Sequence, residues 1–243
     1  MAAELEKLIN EYVDRLKQLK NNNVLGAVRT GEQNFTDFVE KWSDIDTYVV
    51  LESMESDLVS KIIKINRSLS EKYDVHVGLS LLPKNEYYSK NIDINCLKDA
   101  LMKMNFKFNR SWVIYGNLEP AIVELPNKIP SLVRELNYFK AYLRTSLRDL
   151  DGPNLLRACI KANNYILLCA LLMEYPQQVD TKFKIKLAKV VFADFDLGFD
   201  IHAINEKMKN NISSVENPEE ISAVIANYTE DFLNYFYTKY NYV

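Results

Sequence analysis

The chain has 243 residues and a mass of 28.2 kDa, enough to bury a sizeable core without disulfides or metals. Its 30 Lys+Arg against 33 Asp+Glu leave a net charge of −3, which argues against a partner of long nucleic acid, since that needs a basic excess to displace counterions. A hydrophobic fraction of 48% with 12% aromatics describes an ordered globule.

No run approaches 18 consecutive apolar residues, so no membrane span is expected. The N-terminus MAAELEKLINEY carries acids from its fourth residue and lacks the apolar run of a signal peptide. The three cysteines (Cys96, Cys159 and Cys169) are odd in number and show no CxxC spacing, which predicts a reduced, cytoplasmic protein. With only His76 and His202, a His/Cys zinc site or a Ser–His–Asp site has little material. Any chemistry here runs on carboxylates.

In chain order, Leu5, Leu8, Ile9, Tyr12, Val13, Leu16 and Leu19 form a helical stripe over 3–20, closed by Asn21, Asn22 and Asn23. Residues 44–52 alternate, with Ile45, Thr47, Val49 and Leu51 on one side and Asp44, Asp46, Tyr48 and Val50 on the other. That pattern predicts a strand. A helix follows through Leu58, Ile62, Ile65 and Leu69, and then a second alternating strand over 73–82, with Asp74, His76, Gly78 and Ser80 on its polar face. A third short strand is predicted at 112–115. Pro120, Pro126 and Pro130 mark a boundary. Beyond it, 131–150, 154–175, 181–195 and 219–241 read as helices.

Three features carry possible chemistry. Gly26 and Gly31 lie in GAVRTG, where a turn leaving a strand would present backbone amides to phosphate; an ordinary turn is the plainer alternative. Ser43-Asp44-Ile45-Asp46 places two carboxylates on one face of a strand, oxygen-rich geometry suited to Mg²⁺. Asp74 opens the other strand on its polar side. If the two strands are neighbours, three carboxylates converge, and such a cluster holds two divalent ions about 3.5–4 Å apart.

Taken together, the glycine turn, the SDID strand, the helix and the DVHV strand resemble the nucleotidyltransferase superfamily named after DNA polymerase β. The helices after the prolines are similar to the substrate-binding domain of antibiotic nucleotidyltransferases. The resemblance implies an α+β protein, with a mixed-sheet nucleotidyltransferase domain over 1–125 and a helical substrate-binding domain over 126–243. It further implies transfer of a nucleoside monophosphate, AMP from ATP, to a hydroxyl of an aminoglycoside- or lincosamide-like acceptor. Asp44, Asp46 and Asp74 would then hold a two-ion Mg²⁺ site, and Gly26, Ala27, Arg29, Thr30 and Ser43 would bind the nucleotide.

The chain departs from the family pattern at Ala27, where the family has Ser; one lost charge-assisted hydrogen bond costs about 1.5–3 kcal/mol. The loop over 32–43, with Phe35, Phe38 and Trp42, is also longer than usual. Two rivals stay open: an enzyme that nucleotidylates a protein, as nucleotidylating antitoxins do, and a non-catalytic nucleotide-binding or interaction module. Elsewhere the plainer readings are preferred. His76 is expected to be a satisfied, partly buried histidine and His202 a surface or interhelix residue, Tyr87 and Tyr88 pack rather than stack on a base, and Glu135 and Lys140 lie on a charged helix face. The aromatic C-terminus packs between helices, with a homodimer contact as its alternative.

Overall fold

In the computed structural model, residues 2–30, 43–90, 100–103, 106, 111–120, 129–175, 188, 190–195, 203–204, 207–208 and 215–241 are described. The chain divides into two compact units, residues 1–124 and 125–243.

The first unit begins with the apolar stripe foreseen above. Helix α1, Ala2–Gln18, buries Leu5, Leu8, Ile9, Tyr12 and Leu16. Four strands follow: β1 (Val24–Thr30), β2 (Ile45–Leu51), β3 (Val77–Pro83) and β4 (Ser111–Gly116). They form one mixed sheet in the order β3-β2-β1-β4. β1 runs antiparallel to both β2 and β4, while β2 and β3 run parallel. A parallel pair needs a crossover, here supplied by helix α2, Ser56–Tyr73. The five-residue helix α3, Lys84–Tyr88, follows β3.

The sheet is covered on both faces. On one, Ala27, Val49 and Leu51 pack with Tyr12 and Leu16 of α1 and with Leu58, Ile62 and Leu69 of α2. On the other, Val28, Tyr48 and Val50 pack with Leu82, Tyr87, Met102 and Leu118. That two-sided cover explains why β2 is buried at every position but Asp46.

One predicted boundary moves. The strand expected from residue 73 begins at Val77, because α2 continues to Tyr73 and Asp74 ends it in the left-handed conformation (φ 50°, ψ 38°), its amide donating to the Ser70 carbonyl. From Val77 onward the foreseen faces hold, with Leu79 and Leu81 against the helix-covered core.

The second unit is helical among its described residues. Helix α4, Ile129–Asp149, helix α5, Gly152–Glu174, and helix α6, Pro218–Lys239, fall close to three of the four predicted helices; most of 181–195 lies outside the described residues. Prolines begin α5 and α6, where a missing amide costs nothing. The Gly152 amide donates to Glu219 Oε1 at 2.8 Å, tying the start of α5 to the start of α6. α5 packs against both α4 and α6. Asn163 Nδ2, fully buried in α5, donates to Thr229 Oγ1 at 2.9 Å. Phe232 and Phe236 are buried against Phe192, as expected of helix-packing aromatics. By length and composition α5 is apolar enough to cross a membrane, although it contains no unbroken 18-residue apolar run; 78% of its apolar window is buried within the protein.

α1 and α2 are joined by charge as well as by packing. Lys72 Nζ lies 2.5 Å and the Tyr73 hydroxyl 2.8 Å from Glu11 Oε2, while Arg15 donates to Glu11 Oε1 at 2.6 and 3.1 Å. These three donors, Lys72 first, hold the Glu11 carboxyl at about 2, down from 4.5. A lowered carboxyl stabilises the folded state above its ordinary value and loses that contribution as pH falls through the lowered one. Glu11→Gln therefore lowers the thermal midpoint at neutral pH, and the gap to wild type closes as pH is stepped from 4.5 toward 2. A gap independent of pH in that series would exclude the ionic linkage.

Candidate active site

Residues directly paired across a sheet share a face. Thr30 pairs with Asp46 on one side and Ser111 on the other, and Asp46 pairs with Gly78. The row Ser111–Thr30–Asp46–Gly78 thus crosses all four strands at the N-terminal end of β2. Asp46 is partly buried there, and Asp44, one residue before the strand, is exposed. The Ile45 amide between them donates to the His76 carbonyl at 3.0 Å, fixing the start of β2 beside β3.

The candidates on this frame separate into groups. Asp44 and Asp46 stand together, with Ser43 just upstream and Thr30 in the same row. Asp74 stands apart from the strands: it is exposed at the end of α2, three residues before β3 begins. Beside Asp46, the β3 position is Gly78, and a Cβ built there would lie 2.5 Å from Asp46 Oδ1. Among the described residues no three His, Cys, Asp or Glu side chains gather as a metal-binding group. Asp74 therefore does not lie on β3, the strand expected to carry it toward Asp44 and Asp46.

The segment holding Gly26 and Ala27, expected as a turn, is strand. Both lie inside β1, paired with β2 on one side and β4 on the other, with register shifts between Val24 and Gly26 toward β2 and between Ala27 and Val28 toward β4. Ala27 is fully buried. Gly26 is required by close approach, since a Cβ there would meet the Tyr115 carbonyl oxygen at 2.5 Å and Leu118 Cγ at 2.6 Å. Gly31 and the aromatic residues of the 32–43 loop (Phe35, Phe38 and Trp42) lie outside the described residues.

Arg29 pairs with Thr47, whose hydroxyl meets Tyr12, so it belongs to the helix-covered face, opposite Asp46. Its guanidinium sits 4.4 Å from the centroid of the Trp112 ring, a cation–π arrangement. Of the remaining candidates, His76 is exposed rather than partly buried as expected, and Tyr87 is buried with its hydroxyl donating to the Glu119 carbonyl at 3.0 Å. Tyr88 packs edge-on against Tyr87 at 5.0 Å. Lys140 lies 5.3 Å from the Tyr237 ring, and Glu135 adds to the burial that pushes the Cys169 thiol upward. His202 and Cys96 lie outside the described residues.

Two residues near this face had no sequence motif to mark them. Lys103 is 2% exposed and donates to the carbonyls of Glu86 at 2.6 Å and Ser89 at 2.9 Å. It neutralises the C-terminal end of α3 from inside the core. A lysine amid Ala100, Leu101 and Met102 was its only signal. The other is Gly78, whose role depends on which residue stands beside it.

No family model matches the chain, and no curated protein does. Among solved structures, it is similar to a spectinomycin adenyltransferase, AAD(9), from Enterococcus faecialis, solved with ATP and spectinomycin. The TM-score is 0.53 at 13% identity, covering 91% of this chain and 99% of that one. The chain has a nucleotidyltransferase-like fold. The likeness extends over both units, so the helical half is part of the shared architecture.

Gly26→Ala separates the packing role from the phosphate role. The added methyl costs about 1–3 kcal/mol by overpacking, lowering the melting temperature by about 2–4 °C for each kcal/mol. Calorimetry reads this directly, whereas a glycine needed only by a phosphate would leave the melting temperature in place.

Proposed function

We propose that this protein is a nucleotidyltransferase that moves AMP from ATP onto a hydroxyl of a small, polyhydroxylated acceptor of the aminoglycoside or lincosamide kind, with release of pyrophosphate. The observation that carries the reading is the pair Asp44 and Asp46 at the N-terminal end of β2, on a fold shared with an adenyltransferase over 91% of the chain.

Phosphoryl transfer asks mainly for positioning and charge neutralisation. Asp44 and Asp46 offer only oxygen donors, one exposed and one partly buried, a set that fits Mg²⁺. When bound, that ion neutralises triphosphate oxygens and orients the α-phosphorus toward the acceptor. Asp46 fixes the inner side of the site, and Asp44 reaches its open side. Thr30, in the row of Asp46, and Ser43, next to Asp44, supply hydroxyls for phosphate oxygens.

A second reading, nucleotide binding without transfer, is favoured by Gly78, which puts no carboxylate beside Asp46, and by the enclosure of Ala27 in β1.

The test is incubation with α-labelled ATP and Mg²⁺, with and without a panel of acceptors including spectinomycin and lincomycin. Wild type is expected to release pyrophosphate and label one acceptor class. Asp46→Asn should lose about a hundredfold or more in rate, the scale of removing one transition-state contact. Label on a protein would favour a protein acceptor instead. Stabilisation by ATP of about 2.7 kcal/mol at 100 times its dissociation constant, without pyrophosphate release, would establish the non-catalytic reading.

A further inference from the structure

We infer that Gly78 is a positioning residue, whose missing side chain seats the Asp46 carboxylate in a single orientation over β3. The inference rests on the nucleotidyl-transfer reading only for the use made of that carboxylate. Gly78 pairs with Asp46 across the parallel strands, and its hydrogen faces the carboxylate. A Cβ at Gly78 would fall 2.5 Å from Asp46 Oδ1, 3.6 Å from its Cγ and 3.7 Å from its Cα. The Asp46 oxygen therefore lies too close for any other residue to place its first carbon there without a shift.

The backbone gives no separate reason for glycine. Gly116 and Gly152 adopt positive φ, whereas Gly78 sits in regular strand pairing from Asp46 on through Leu51 without that requirement. A glycine within a strand loses conformational freedom and contributes no side-chain packing, so its presence here matches the space that Asp46 takes.

The glycine is itself anchored from the opposite face. Thr47 Oγ1 donates to the Gly78 carbonyl at 2.9 Å and lies 3.3 Å from the Tyr12 hydroxyl. Burial raises that tyrosine to about 12, so it stays a neutral phenol. α1 thus steadies the Gly78 peptide through Thr47, and the peptide supports Asp46 on the other side. An added methyl at Gly78 turns the carboxylate away, because the clashing atom ends a rotatable side chain.

The test measures the Asp46 rotamer directly, in protein without metal, from three-bond couplings of its side-chain carboxyl carbon to the backbone nitrogen and carbonyl carbon. Wild type is expected to show one χ1 rotamer, and Gly78→Ala a different or averaged one with the fold intact by amide spectra. An averaged wild-type rotamer overturns the inference even should the variant fail to fold; so does an unchanged rotamer in Gly78→Ala. Manganese binding, read by electron paramagnetic resonance, then tests the consequence: affinity falls on the order of tenfold in Gly78→Ala, the scale of losing a residue that orients a metal ligand. A changed rotamer with unchanged affinity overturns the positioning role. Wild type that binds no Mn²⁺ refutes the metal role proposed for Asp46, while the rotamer measurement still decides the seat at Gly78.

Discussion

The parallel register between β2 and β3 is the constraint on which the carboxylate site depends. Side chains of α2 set it as much as the ladder does. Ser70 Oγ accepts from the Val77 amide at 3.0 Å, and Asn66 Nδ2 donates to the Val77 carbonyl. The β3 backbone is therefore gripped by α2 at its first residue, the one that pairs with Ile45. Because side chains alternate with a period of two, a slip by one position would reverse every side chain relative to its neighbours. Thr47 would lose the Gly78 carbonyl, and Asp46 would face a different residue altogether. The crossover helix thus specifies geometry at the far edge of the sheet from the chain's own local hydrogen bonds.

The far end of β2 is clamped in a similar way. Asn23 Nδ2 donates to the Ser53 carbonyl at 2.9 Å, its Oδ1 accepts from the Ser53 amide at 2.6 Å, and the Glu52 amide donates to the Asn23 carbonyl at 2.9 Å. One side chain joins the start of β1 to the end of β2.

What could be read from sequence is what local periodicity determines. The alternation through Ile45, Thr47, Val49 and Leu51 assigned their face, and Asp44 and Asp46 were visible as a pair because two residues is the strand repeat. Residues 73–76 carried the same alternation while belonging to a helix end and its turn; the left-handed Asp74, a tertiary outcome, decided between them. Gly26 was read as a turn from the GAVRTG motif, yet its reason is Leu118 and the Tyr115 carbonyl, far along the sequence. Arg29 and Thr30 were adjacent candidates in one motif, but adjacency in a strand means opposite faces. Gly78 was invisible as a functional position because its meaning is the space it leaves.

Helix α5 has a consequence for how the chain is made. Its apolar surface is covered by α4, which precedes it, and by α6, which begins only at Pro218, well after α5 ends at Glu174. During synthesis at about 5–20 residues per second, that interval lasts on the order of seconds. Over that interval α5, with the length and composition of a membrane span, awaits the cover that α6 provides. Completion of α6, with Thr229 reaching Asn163 and Phe232 and Phe236 closing the core, ends that wait.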